Sequence, residues 1–329
     1  MLYSTIENYA HELGFAAAGL CSANVFAEQG ELVRKQPQLR ERKQLLFDPA
    51  VDYPWAKSLL VLLWPYGQAS VPEEQDRVFV DLYYSASNRA YQAAKELERR
   101  IMESGIRAKA NVPYPAKAAA VRAGLGVIGD HSLLITPEHG TRVVIILIAL
   151  DMNAPDAENF TDKQSCLHCG KCTAACPTGA IQKGGMTHPE RCLRNYMLEG
   201  VVVPEHMRSQ MGMKLVGCDM CQRVCPMQPA HNSEQGLSFC LDDFLTTNEE
   251  YFKESVSRLA SVIGKNVARP QRIRAQAALL AGNRKCAADL SVLREWMNSD
   301  FEAVRVHAAW ACSQIEQHIQ GLDQCEEKR

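Results

Sequence analysis

Seven of the thirteen cysteines of this chain fall into two runs that close on Cys-Pro: Cys166-Leu-His-Cys169-Gly-Lys-Cys172-Thr-Ala-Ala-Cys176-Pro177 and Cys218-Asp-Met-Cys221-Gln-Arg-Val-Cys225-Pro226. An eighth, Cys192, lies between them. In spacing of this kind, three neighbouring thiolates hold one iron–sulfur cube, and the fourth, before the proline, reaches to a second cube. The second run lacks a cysteine three residues before Cys218, and Cys192 is the thiol left to complete the set. The spacing therefore assigns Cys166, Cys169, Cys172 and Cys225 to one 4Fe–4S cluster and Cys176, Cys192, Cys218 and Cys221 to the other.

Zinc is the rival metal, since paired Cys-x-x-Cys units also build tetrahedral thiolate sites. Zinc sites do not favour three-step runs closed by Cys-Pro, which places iron–sulfur first. Disulfides are a weaker reading, because the N-terminal stretch MLYSTIENYAHELGF carries acids and no apolar signal core. A cytoplasmic location is expected. Cys21, Cys240, Cys286, Cys312 and Cys325 are scattered and read as buried or incidental thiols.

At 329 residues, 47% hydrophobic and 22% charged, the chain has room for two or three domains. Its longest apolar run, Val143 to Leu150, is too short to span a membrane, which takes about twenty residues. That run and Ser58 to Trp64 read as buried strands. Alternation of such strands with helical patterns (Ile6 to Leu13, Asn88 to Met102, Ala116 to Ala123) predicts an α+β or α/β layer domain over residues 1–155. A ferredoxin-like double-cluster module follows over 156–232, with short helices over Pro189 to Leu198. Polar connectors are expected at Asn153 to Asp162 and at Pro226 to Gly236.

Residues 233–329 differ in pattern. Arg272 to Asn283 and Val304 to Ile315 place small apolar residues at helical spacing behind arginine and repeat each other loosely, as in HEAT-type helical repeats. Between Lys253 and Lys285, eight cations (Lys253, Arg258, Lys265, Arg269, Arg272, Arg274, Arg284, Lys285) face one acid, Glu254. The net charge is −2, so attraction to a phosphate backbone would have to be local to this face. Trp310 reads as packing core rather than a base-stacking platform.

The double-cluster module, the glycine segment Arg122-Ala-Gly-Leu-Gly-Val-Ile-Gly129, Leu133 to Gly140, the Arg-Val-His-Ala-Ala-Trp segment ending at Trp310, Leu13-Gly-Phe15 and Tyr53-Pro54 with Leu60 to Tyr66 together resemble the epoxyqueuosine reductase family. The resemblance covers most of the chain. It implies a cobalamin-dependent oxidoreductase, related in core to reductive dehalogenases, that converts epoxyqueuosine to queuosine in tRNA. Its clusters would pass electrons singly to cobalt. It also implies an N-terminal cobalamin-binding domain, tRNA as partner, and an electron donor such as a ferredoxin or flavodoxin. Cobalamin would lie beside Lys117, Gly124, Gly126, Gly129 and Leu134, the glycines letting backbone approach a planar ring. A plain helix-ending turn would account for the same glycines.

One departure bears on the chemistry. The family's proposed proton donor is an Asp sixteen residues before the last Gly of Gly-Leu-Gly, and the aligned residue here is Ala110. No acid lies between Glu103 and Asp130. A donor must have a reachable proton, so Tyr114 backed by the cation Lys117 becomes the expected arrangement, a nearby positive charge easing phenolate formation. Tyr114 between Pro113 and Pro115 could equally be a packed turn residue. The segment Tyr83-Tyr84-Ser-Ala-Ser-Asn-Arg-Ala-Tyr91 also departs from the family's Asp-Tyr-His pattern in the same region.

His168 reads as solvent-facing, and Lys171 and Arg223 as cations beside cluster thiolates. Three readings stay open: a reductase of a modified tRNA nucleoside, a paralogous reductase with another substrate, and a non-catalytic electron carrier or RNA-binding iron–sulfur protein.

Overall fold

The computed structural model describes residues 2–35, 48–70, 74, 76–154, 165–182, 187–228, 233–234 and 236–326. Most of the connector expected at Asn153 to Asp162, and part of that at Pro226 to Gly236, lie outside the described residues, as does the Cys325 side chain.

The first segment runs α1 (Leu2–Glu12), β1 (Ala17–Ser22), α2 (Ala27–Lys35), α3 (Pro49–Asp52), β2 (Ser58–Pro65), β3 (Gln68–Ala69), β4 (Arg77–Val80), α4 (Leu82–Glu103), β5 (Ala108–Ala110), α5 (Ala116–Arg122), β6 (Val127–Ile128), β7 (Leu134–Ile135) and β8 (Val143–Leu150). The two apolar runs are the central strands of an antiparallel sheet ordered β1-β2-β8-β5. Their side chains alternate between two cores, because strand side chains point to opposite faces in turn. Leu60, Leu62, Ile146 and Ile148 pack with Ile6 of α1 and Leu97 and Ile101 of α4. Leu59, Val61, Leu63 and Leu147 pack with Ala119 and Ala120 of α5. Both faces are covered, which is why these strands read as unbroken apolar runs.

The second segment carries α6 (Lys171–Ala175), α7 (Leu193–Glu199), α8 (Glu205–Arg208), β9 (Lys214–Val216) and α9 (Met220–Arg223). The third carries β10 (Ser233–Glu234), β11 (Leu237–Cys240), α10 (Glu249–Ile263), α11 (Pro270–Arg284), α12 (Leu290–Trp296) and α13 (Glu302–Glu326). The three segments are stitched together rather than strung out. In one small sheet β4 of the first segment sits between β9 of the second and β11 of the third. Beneath it a single core joins Val78, Val80, Leu193, Met197, Phe244, Leu259, Leu280 and Ile315.

The two loosely repeated stretches lie in α11 and α13 and pack on each other. A Cβ at Gly282 would stand 2.6 Å from the Trp310 ring and 2.9 Å from the Ala311 Cα, so glycine permits this close crossing. Trp310 is thereby a packing residue. The basic face is smaller than its sequence count. Arg258 pairs with Asp243, Arg274 with Glu249, and Arg284 with Asp242 and Asp289. Arg274 also stacks on Phe252 at 4.1 Å. These acids lie outside the 253–285 window, so only folding reveals them. Lys253, Lys265, Arg269 and Lys285 remain exposed.

Candidate metal centre

The first cysteine run bends through left-handed backbone at His168 (φ 49°) and Gly170 (φ 72°) before entering α6. Helix α6 packs against α9 of the second run, so each run lies within reach of the other's last thiol. The Cys225 thiol is pushed up by burial and then by Cys172, Cys166 and Cys169. Cys221 is pushed up by burial and then by Cys218, Cys192 and Cys176. The thiols that these two cysteines sense electrostatically thus form two groups of four. Four thiolates per cube is the requirement of a 4Fe–4S cluster, and ligation would deprotonate thiols that burial otherwise keeps neutral.

A hollow beside the first group is lined by Cys166, Cys169, Cys172, Cys225, Asp130 and His131. At its edge the exposed His168 pairs through Nδ1 with the Asp130 carboxylate at 2.9 Å. Lys171 also lines the hollow and is exposed. Arg223, expected as a cation beside the cluster thiolates, also makes contacts within the fold. Its Nε donates to Asp219 at 2.7 Å, its Nη2 donates to the Ala69 carbonyl at 2.8 Å, and its guanidinium lies over the Phe79 ring. It joins the cluster segment to the sheet domain.

A second group of polar side chains surrounds Lys117 and Arg194, which interact electrostatically. Lys117 has an exposed side chain, yet surrounding protein lowers its pKa, with Arg194 adding to the effect. Its Nζ donates to the Ser132 carbonyl at 2.6 Å. Burial works against the charge on Arg194, but Tyr84, Tyr83 and Asp81 outweigh it and raise its pKa. The guanidinium stacks over Tyr83 at 4.3 Å and donates through Nε to the Tyr84 hydroxyl at 3.0 Å. Asp81, buried at the N-terminus of α4, is pushed up to about 6 by burial and then by Asp219. His131 is pushed down to about 4 by burial, Asp130 opposing and Lys117 reinforcing. Sequence reasoning missed Arg194, Asp81 and His131. The altered Tyr83-Tyr84 segment was the available signal for the first two, and nothing in the spacing marked His131.

Several expected roles change. Tyr114 is buried, and its hydroxyl donates to Asp52 Oδ2 at 3.0 Å. Burial first, then Asp52, raise its pKa; the hydroxyl is taken up by Asp52 and Pro49 while Lys117 Nζ bonds Ser132, in place of the expected phenol–Lys117 pair. Ala110 ends β5 opposite Ile148, buried in the core that holds α4. The next residue, Asn111, turns with φ 60°. The glycines serve internal packing. A Cβ at Gly126 would stand 2.3 Å from the Ile135 carbonyl oxygen, and one at Gly129 would stand 2.7 Å from His131 and from Ile135. Gly124, at φ 73°, donates its N–H to Val121 in a helix-ending turn. Leu134 is a core residue. Of the residues expected beside cobalamin, Gly126, Gly129 and Leu134 are enclosed by protein atoms, whereas the Lys117 side chain is exposed. Cys21 and Cys312 are buried, as expected of structural thiols.

The fold and the paired thiol groups define a double-cluster iron–sulfur protein, and residues 165–228 match the family described as "4Fe-4S double cluster binding domain". The chain is a homologue of curated epoxyqueuosine reductases. It is 32% identical to that of Bacillus subtilis (strain 168) over 213 residues, covering 60% of this chain and 53%, about half, of the relative. It is 24% identical to that of Aliivibrio fischeri over 95% of this chain and 91% of the relative. Its mixed α/β fold matches a crystal structure of epoxyqueuosine reductase with an epoxyqueuosine-modified tRNA stem loop, at TM-score 0.81 and 24% identity, covering 100% of this chain and 94% of the other. No helix among the described residues is long and apolar enough to cross a membrane.

Proposed function

We propose that this protein is a cytoplasmic oxidoreductase that reduces epoxyqueuosine to queuosine in tRNA, with Cys166, Cys169, Cys172 and Cys225 holding one 4Fe–4S cluster and Cys176, Cys192, Cys218 and Cys221 the other. The observation that carries this reading is the near full-length match to a named epoxyqueuosine reductase. Removing the epoxide oxygen as water consumes two electrons and two protons. An external donor such as a ferredoxin or flavodoxin supplies the electrons through the clusters. Cobalamin held beside Lys117 would supply low-valent cobalt when bound. Lys117 is the proton source: its lowered pKa makes it a better acid than an ordinary lysine. Arg194, which adds to that lowering, discourages full protonation and offers a second cation to an anionic or polar ligand. The helices α10 to α13 form a HEAT-like unit whose exposed Lys253, Lys265, Arg269 and Lys285 meet the tRNA backbone.

Nucleoside mass spectrometry of epoxyqueuosine-containing tRNA, after anaerobic incubation with reconstituted protein, cobalamin and a strong reductant, tests the reading. Conversion to queuosine supports it. No conversion by protein with confirmed iron and cobalt favours a second reading, a paralogous reductase of another substrate. Ala110, buried where the family's acid would stand, is the observation on that side.

A further inference from the structure

We propose that His131 is a positioning residue that donates a hydrogen bond from Nε2 to a sulfur of the cluster held by Cys166, Cys169, Cys172 and Cys225, and thereby raises that cluster's reduction potential. The proposal rests on the assignment of these four thiols and is independent of the substrate.

The tautomer follows from geometry. His131 Nδ1 accepts the backbone N–H of Leu133 at 3.1 Å, so the ring proton resides on Nε2. The residue is 5% exposed, and Nε2 is buried with no hydrogen-bond partner. A buried donor without an acceptor costs about 1–3 kcal/mol, and such groups are rare enough in folded proteins to call for a physical reason. His131 lines the same hollow as the four thiols. A cube there would bring sulfide and thiolate sulfurs, which are acceptors, into the space the donor lacks. The backbone makes room for this ring: a Cβ at Gly129 would lie 2.7 Å from His131 Cε1. The glycine that ends the Gly-Leu-Gly-Val-Ile-Gly segment thus leaves room for this ring and for Ile135, whose Cδ1 would lie equally close.

Taking up an electron makes the cluster more negative, and an N–H aimed at sulfur stabilises that extra charge more than it stabilises the oxidised cube. Without the donor, reduction of this cluster is less favourable and the other cluster is untouched.

The test is an EPR-monitored redox titration of the reconstituted full chain. His131→Phe should lower the equilibrium constant for reducing one cluster about tenfold, or about 59 mV for one electron, leaving the second potential in place. His131→Gln, which keeps an N–H donor, should stay near the native value. Potentials unchanged in an iron-replete Phe variant would overturn the proposal. Pulsed EPR of reduced protein labelled with 15N-histidine gives a readout free of turnover. A weak nitrogen coupling should survive His168→Ala and vanish in His131→Gln. If the Phe variant does not retain iron, persistence of that coupling in His131→Gln overturns the proposal on its own.

Discussion

Arg142, just before β8, and Asp219, between two cluster cysteines, form an ion pair at 3.4 Å, with side chains 6% and 2% exposed. Arg223 holds the other oxygen of the same carboxylate at 2.7 Å. One aspartate therefore receives a cation from the sheet domain and one from its own helix. The cysteines on either side of it inherit their position from that bond.

Breaking this pair should cost more than its net worth, because the partner left behind is a buried charge. Asp219→Ala is expected to destabilise the chain by about 3–5 kcal/mol, read from the shift in urea midpoint, and to reduce iron retention. The double variant Arg142→Met/Asp219→Leu should recover part of that loss. A double variant as unstable as the sum of its singles would show that the carboxylate acts through another contact.

Removing one thiol tests the assignment of ligands. Cys221→Ala should halve the iron content, from about eight atoms per chain to about four, and abolish turnover. Cys240→Ala, outside both thiol groups, should retain all of it. Full iron and activity in Cys221→Ala would refute the grouping.

Lys117 and Tyr114 are expected to separate cleanly. Lys117→Met should lower turnover at least about a hundredfold, the scale of general acid catalysis. Tyr114→Phe should leave the rate within about twofold and cost about 1 kcal/mol of stability, since its hydroxyl is bonded to Asp52. A large rate loss in Tyr114→Phe would return the phenol to the mechanism.

His307 gives a pH signature far from the clusters. Its Nδ1 donates to the Ala275 carbonyl at 2.9 Å and its Nε2 accepts the Val203 N–H at 3.0 Å, tying α13 to α11 and to the loop before α8. Burial pushes it down to about 4, Ala275 opposing and Arg208 reinforcing. The unfolded imidazole titrates near about 6.5, so between these values the unfolded chain binds more protons. The stability that the neutral ring contributes is complete above about pH 6.5 and lost as the pH falls toward about 4, up to about 3 kcal/mol. Urea midpoints of the native chain should fall over this range, and His307→Gln should flatten the dependence. Equal slopes in the two proteins would exclude His307 as the source.

Charge reversal at Lys265 and Arg269 should weaken binding of a tRNA anticodon stem loop and reduce the salt slope of log K by about 0.7–0.9 for each phosphate that is no longer neutralised. Anisotropy titrations at several salt concentrations measure it. An unchanged slope would place the nucleic acid elsewhere.

Cysteine spacing, apolar runs and the glycine segment were enough to read the metal class, the two central strands and the helices α1, α4 and α5 from the chain itself. Each of these is a local property, set by residues a few positions apart. What the sequence could not carry were pairings between distant residues. The acids that neutralise Arg258, Arg274 and Arg284 come from outside the basic window. Tyr114 meets Asp52 from 62 positions away and so loses Lys117. Gly126 and Gly129 are glycines because Ile135 and His131 fold back on them. The sequence alone determined which chemistry the chain can hold, through thiols whose spacing suits one kind of centre. Tertiary structure decided which polar groups reach that centre, because burial and charge pairing depend on what the fold brings into van der Waals contact, whatever the separation along the chain.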